Sequence, residues 1–85
     1  MLSYKTRDSL YLKLEGDFDG TSAYELLDTL KKYGTDFYEI FIDTSDLKTI
    51  HPFGSEVLQK KLGTFKQKFN NFIFIGENRH LITLN

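Results

Sequence analysis

The 85-residue chain, 40% apolar and 15% aromatic, makes one domain over residues 1–85, with a core near the small end of what folds unaided and too much apolar content for disorder. It has no cysteine, which excludes a disulfide framework, a thiolate metal site and a cysteine nucleophile. The net charge of −1 hides a split: residues 1–43 carry five basic and nine acidic side chains, and residues 44–85 carry six and three, so the halves sit at −4 and +3. A dipolar surface is expected, without the basic stripe that a nucleic-acid binder would need.

The start of the chain shows no basic segment followed by an apolar run, so no signal peptide is read there. The longest apolar run, FIFI (72–75), is far too short to span a bilayer. The expectation is a soluble, cytoplasmic protein that does not insert into membranes.

In chain order, LSYK (2–5) is expected to pair in a hairpin, through the turn-forming TRDS, with LYLKLE (10–15). In the latter, Leu10, Leu12 and Leu14 alternate with Tyr11, Lys13 and Glu15, the pattern of a strand with one buried face. GDFDG (16–20) follows as a tight loop, and a helix is expected over 22–33, with Ser22 and Glu25 at capping-box spacing. Ala23, Leu26, Leu27, Leu30 and Tyr33 form its apolar stripe, and Gly34 its stop.

YEIFID (38–43) is a second strand, apolar enough to be buried on both faces. After a loop over 44–51, Pro52 fits the first turn of a second helix, where its missing N–H costs nothing. Leu58, Leu62, Phe65 and Phe69 make one face of that helix, and Asn70 and Asn71 end it. FIFI is the third clear strand, and residues 77–85 read as either a short edge strand or an ordered extension. Tyr24, Tyr33, Tyr38 and Phe41 read as packing residues, and Lys60, Lys61, Lys66 and Lys68 as a solvated helix face.

This order implies right-handed crossovers and an open, mostly parallel α/β sheet with an N-terminal hairpin arm. Ligands and partners of such sheets gather on the loops after the strands. Here those loops are 16–20, 44–52 and 76–80. GDFDG is no phosphate loop, since it lacks the lysine and hydroxyl pair of a P-loop and the dinucleotide glycine spacing.

Taken together, LEGDFDGTSA (14–23), EIFIDTSDLKTI (39–50) and the helix opened by Gly54 resemble the STAS domain, the module of bacterial anti-sigma-factor antagonists and of sulfate-transporter tails. Gly16, Asp19 and Ala23 match its first element; Asp43, Leu47 and Ile50 match the second; Gly54 matches its turn glycine. The resemblance covers roughly residues 8–78. It implies regulation by protein–protein contact, without catalysis or cofactor, on a kinase-like anti-sigma factor or a scaffold. The same family also implies a structural subunit or adaptor of a membrane-transport assembly as a second reading. A small-ligand or nucleotide-binding domain is a third.

The chain departs from the family where antagonists are phosphorylated. Instead of Asp-Ser-Ser/Thr-Gly it has His51-Pro52-Phe53-Gly54, so the acceptor position falls on a phenyl ring. The chain also lacks the last strand and helix typical of the family, which leaves a sheet edge that a homodimer would cover.

At about 100° per residue, Phe53 points away from the core face of its helix. It either folds over the helix start or stands as an aromatic anchor for a partner. Phe18, Asp19, His51, Gly54 and Val57 complete the expected partner-binding set, with Phe18 extending the aromatic patch. Ser55, in the first helical turn, is the candidate for displaced phosphorylation, ahead of the rim hydroxyls Thr44, Ser45 and Thr49. His51 with Asp17, Asp19, Asp43 and Asp46 has the residue types of an acid–base or divalent-ion site. No nucleophile or pocket accompanies it, and a solvated histidine beside turn-forming or capping carboxylates is the expectation.

Overall fold

The period-two alternation of Leu10, Leu12 and Leu14 fixes which side of the sheet becomes the core. In the computed structural model, which describes residues 1–65 and 71–82, these leucines lie on β2 (Ser9–Phe18). β1 (Leu2–Lys5) pairs with β2 antiparallel, as the sequence predicts. The Thr6 N–H donates to the Ser9 carbonyl at 2.8 Å, and the Ser9 N–H donates to the Thr6 hydroxyl at 3.0 Å, which closes the turn.

After β2 come α1 (Gly20–Tyr33), β3 (Glu39–Ile50), α2 (Pro52–Phe65), β4 (Phe72–Ile75) and a short α3 (Arg79–Ile82). The strands stand in the order β1-β2-β3-β4, with β2, β3 and β4 mutually parallel. The expected α/β class and mostly parallel sheet are therefore present, with helices packed on the sheet.

Several boundaries differ from expectation. The helix α1 starts at Gly20, not Ser22, and the short α3 stands where residues 77–85 read as a strand or an extension. The rim is also more ordered than a pair of loops. β2 continues to Phe18 and β3 to Ile50, pairing Glu15 with Asp46, Gly16 with Leu47, Asp17 with Thr49 and Phe18 with Ile50. Register shifts between Lys13 and Glu15 and between Gly16 and Asp17 each place an extra residue in β3 and interrupt its alternation, while β2 keeps its own through Phe18. Gly16 sits beside the second shift with φ of 71°, a backbone state that glycine adopts without steric cost. Turn-rich composition masked a bulged extension of two strands.

The core lies on one side of the sheet. Leu10, Leu12, Leu14, Ile40 and Ile42 face Ala23, Leu26, Leu27 and Leu30 of α1, Leu58 and Leu62 of α2 and Ile82 of α3. Parallel strands in sequential order need crossovers of one hand, which puts α1 and α2 side by side on the same face. The other face keeps no described helix, so Phe41 is only half-buried where burial on both faces was expected. Tyr24 and Tyr38, expected to pack, are exposed, and Tyr33 is half-buried against Phe37. The continuation of the α2 stripe to Phe69, its stop at Asn70, and Lys66 and Lys68 lie outside the described residues. Lys60 and Lys61 are exposed, with Lys60 3.6 Å from Glu56 one turn earlier.

Candidate functional site

Both long helices begin on the rim at the carboxyl ends of β2 and β3, and their first turns touch. Asp19, in extended conformation, is the N-cap of α1: its Oδ1 accepts the Ser22 N–H at 2.9 Å. The Ser22 hydroxyl is 3.0 Å from the same oxygen and 3.0 Å from the Asp17 carbonyl. Ser22 is thus the residue that is capped, not the cap, which corrects the capping-box expectation. These bonds favour the carboxylate, so the Asp19 pKa lies below its ordinary value, chiefly through the Ser22 N–H and then its hydroxyl.

The start of α2 is held against this cap. The His51 N–H donates to the Phe18 carbonyl at 2.9 Å, and the His51 carbonyl accepts the Ser55 N–H at 3.2 Å. Gly54 is buried on the same contact: a Cβ there would lie 2.7 Å from the Asp19 carbonyl oxygen and 2.9 Å from that of Phe18. Glycine is required at this position because backbone meets backbone.

Phe53 answers the choice left open by the sequence with a combination. It is 63% exposed, yet one edge of its ring rests on the start of α1, where a Cβ on Gly20 would lie 2.7 Å from Cε2. The ring is propped on a neighbouring helix and presents its remaining surface outward.

The other residues of the expected set divide. His51 and Asp19 are exposed beside Phe53, and their mutual charge contributes to the low Asp19 pKa. Val57 is half-buried against the core. Phe18 is fully buried and does not extend the aromatic patch, because it points into the core from the last residue of β2. Only its carbonyl serves the rim. Gly20, the seat of the Phe53 ring, had no role in the sequence reading, although a glycine directly after the cap was the available signal.

The rim hydroxyls are all engaged as donors. Thr44 is buried and donates to the Ile75 carbonyl at 2.8 Å; Ser45 donates to Asp43 at 2.6 Å; Thr49 donates to Asp17. Ser55 is buried and donates to the Leu81 carbonyl at 3.0 Å, so α3 covers the candidate phosphorylation site. The Asp43 pKa is lowered by the Ser45 hydroxyl and then by the Ser45 N–H.

The carboxylates do not gather around His51. Asp17 holds Thr49, Asp19 caps α1, Asp43 holds Ser45, and Asp46 pairs with Lys13 at 3.1 Å. Among the described residues, no group of three histidine or carboxylate side chains is placed to hold a metal ion. A cleft beside Leu14, Asp17, Ser22 and Leu47 has a volume of about 110 Å³, below the ~300 Å³ at which small-molecule pockets begin. An open groove of about 330 Å³ runs between Pro52, Glu56 and Gln59 of α2 and Leu81 of α3, next to Phe53 in the chain. No described helix is long and apolar enough to cross a membrane.

Compared with known proteins, the chain matches no family model, no curated protein and no solved structure.

Proposed function

We propose that this chain is a non-enzymatic regulatory module that works by protein–protein contact, in the manner of the anti-sigma-factor antagonists it resembles. The docking surface is the rim formed by residues 16–20 and 44–57, with Phe53 as its anchor. The observation that carries this reading is the posture of Phe53: mostly exposed, at a helix start, and supported from one side by Gly20. A propped aromatic side chain loses little conformational freedom on binding and offers a large apolar surface, the profile of an interface hot spot. The groove between α2 and α3, which starts at Pro52, supplies a concave surface for the partner's own side chains.

A phosphate switch is absent from this proposal. A phenyl ring occupies the acceptor position, and Thr44, Ser45, Thr49 and Ser55 already spend their hydroxyl protons on internal acceptors. The module acts constitutively, or is controlled through its partner.

Affinity capture from the native cells, comparing wild type with Phe53→Ser, tests the reading. The expected result is loss of a partner that wild type retains, with the circular dichroism spectrum and melting behaviour unchanged. A kinase-like partner agrees with the antagonist analogy, and recovery of transporter components would replace it by the transport-adaptor reading. Equal capture by both proteins would remove Phe53 from the site.

A further inference from the structure

The face of the sheet opposite α1 and α2 carries an ordered apolar row. Tyr4 stacks on Tyr11 with ring centroids 4.8 Å apart and planes 3° from parallel, and Tyr11 stacks on Phe41 at 4.8 Å. Strand register continues the row to Ile73, so all four strands contribute one member. Tyr4 is 62% exposed and Ile73 37%. The next row along the strands reads Leu2, Lys13, Asp43, Ile75.

Both rows have the same symmetry about a line between β2 and β3. In the first, aromatic Tyr11 mirrors aromatic Phe41, and Tyr4 mirrors Ile73. In the second, Lys13 mirrors Asp43, and Leu2 mirrors Ile75. A two-fold axis parallel to the strands along that line would set each residue opposite its mirror in another copy. Tyr11 would meet Phe41, Tyr4 would meet Ile73 and Leu2 would meet Ile75 at the margins, and each lysine would meet an aspartate. Such isologous pairing is what a closed dimer requires.

We propose that this open sheet face binds a second copy of the chain through that axis, two sheets packing face to face. Sheets stacked this way lie about 10 Å apart with strands crossing near 30°. In the dimer each Lys13, 3.1 Å from Asp46 of its own chain, also faces an opposing Asp43, so the two lysines and the two Asp43 carboxylates alternate in sign along the seam. Four strands about 4.8 Å apart, over about 13 Å of their length, give a footprint near 400 Å² once side chains are included, or about 800 Å² for both copies. That is the size of weak, reversible association, not of an obligate dimer. The site is separate from the Phe53 rim, which lies at the strand ends on the helix side.

Charge reversal tests both the face and the axis. Sedimentation equilibrium of the wild type should show the mean mass rising from 9.9 kDa toward twice that value as concentration approaches about 1 mM. Lys13→Asp sets aspartate against aspartate, and Asp43→Lys sets lysine against lysine; each variant alone should remain monomeric. Mixed in equal amounts, the two variants restore both opposite-charge contacts and should associate as the wild type does. Phe53→Ser should leave self-association unchanged, which keeps this test apart from that of the rim.

A wild type that stays monomeric at about 1 mM, or a dimer indifferent to both reversals, would overturn the proposal. So would two folded variants that fail to associate when mixed. Circular dichroism checks the fold of each variant. If either reversal unfolds the chain, Tyr4→Glu on the edge strand β1 takes its place. It should weaken association by about tenfold, and an unchanged dimer would then overturn the proposal.

Discussion

The ring of Phe53 lies on the backbone of Gly20, so the start of one helix is the seat of an aromatic side chain from the other. A Cβ at Gly20 would meet Cε2 at 2.7 Å and Cδ2 at 2.8 Å. Both are atoms of an exposed side chain that can rotate away. Gly20→Ala is therefore expected to tilt Phe53 and to change stability by less than about 1 kcal/mol, because alanine also favours helix over glycine. Partner affinity should fall in parallel with Phe53→Ser, though less far. Denaturant unfolding together with a binding titration checks both halves.

Gly54 presents the opposite case. Its missing Cβ would be 2.7 Å from the Asp19 carbonyl oxygen and 2.8 Å from the carbonyl carbon, atoms of a capped helix start that cannot rotate aside. Gly54→Ala must separate α2 from the β2–α1 junction, breaking the His51 N–H bond to Phe18 as it does so. A loss of about 2–3 kcal/mol is expected, within the range for overpacked sites. Equilibrium unfolding in urea measures it; a loss below about 0.5 kcal/mol would show that the two helix starts move freely.

Phe18 and Phe53 separate what the sequence reveals from what only the fold decides. Both are phenylalanines on the same rim with a glycine within two residues, and the turn-like composition of GDFDG hides that Phe18 belongs to a strand. Once β2 runs to Phe18, its alternation carries unbroken from Leu14 to Phe18 and turns that ring into the core, because both register shifts place their extra residue in β3. Phe18→Ala should cost about 3–5 kcal/mol, as for a large buried side chain, while Phe53→Ala should cost under about 1 kcal/mol. Thermal and urea unfolding of the pair would decide it, and near-equal losses would mean that Phe53 is structural.

Helix stripes and the hairpin were legible because each is a local period of 3.6 or 2. The extension of β3 to Ile50 was hidden because its stabilising partner, the 15–18 segment of β2, lies far away in sequence and reads by composition as a turn. One-sided burial of Phe41 depended on where two helices chose to pack. The prop under Phe53 needed two helix starts to meet, a relation between residues 33 apart. Single-residue chemistry was easier: that residue 53 carries a phenyl ring and no hydroxyl is visible in sequence alone.

The acid limb of stability should report the carboxylates that hold the rim. Asp19 and Asp43 both titrate below the ordinary aspartate value in the folded chain, through bonds from Ser22 and Ser45 respectively. In the unfolded chain each takes up its proton near the ordinary value of about 3.9. On acidification the unfolded state therefore binds protons first, and the stabilisation from these groups, complete above about pH 5, is lost as pH falls through the folded values. Urea unfolding from pH 7 to pH 2.5 should show a plateau followed by a decline that begins below about pH 5. Asp19→Asn keeps an oxygen acceptor for the Ser22 N–H and removes the titration, so its decline should be shallower than that of the wild type. A variant with an identical acid limb would mean that the cap bond does not distinguish the charged from the neutral carboxyl.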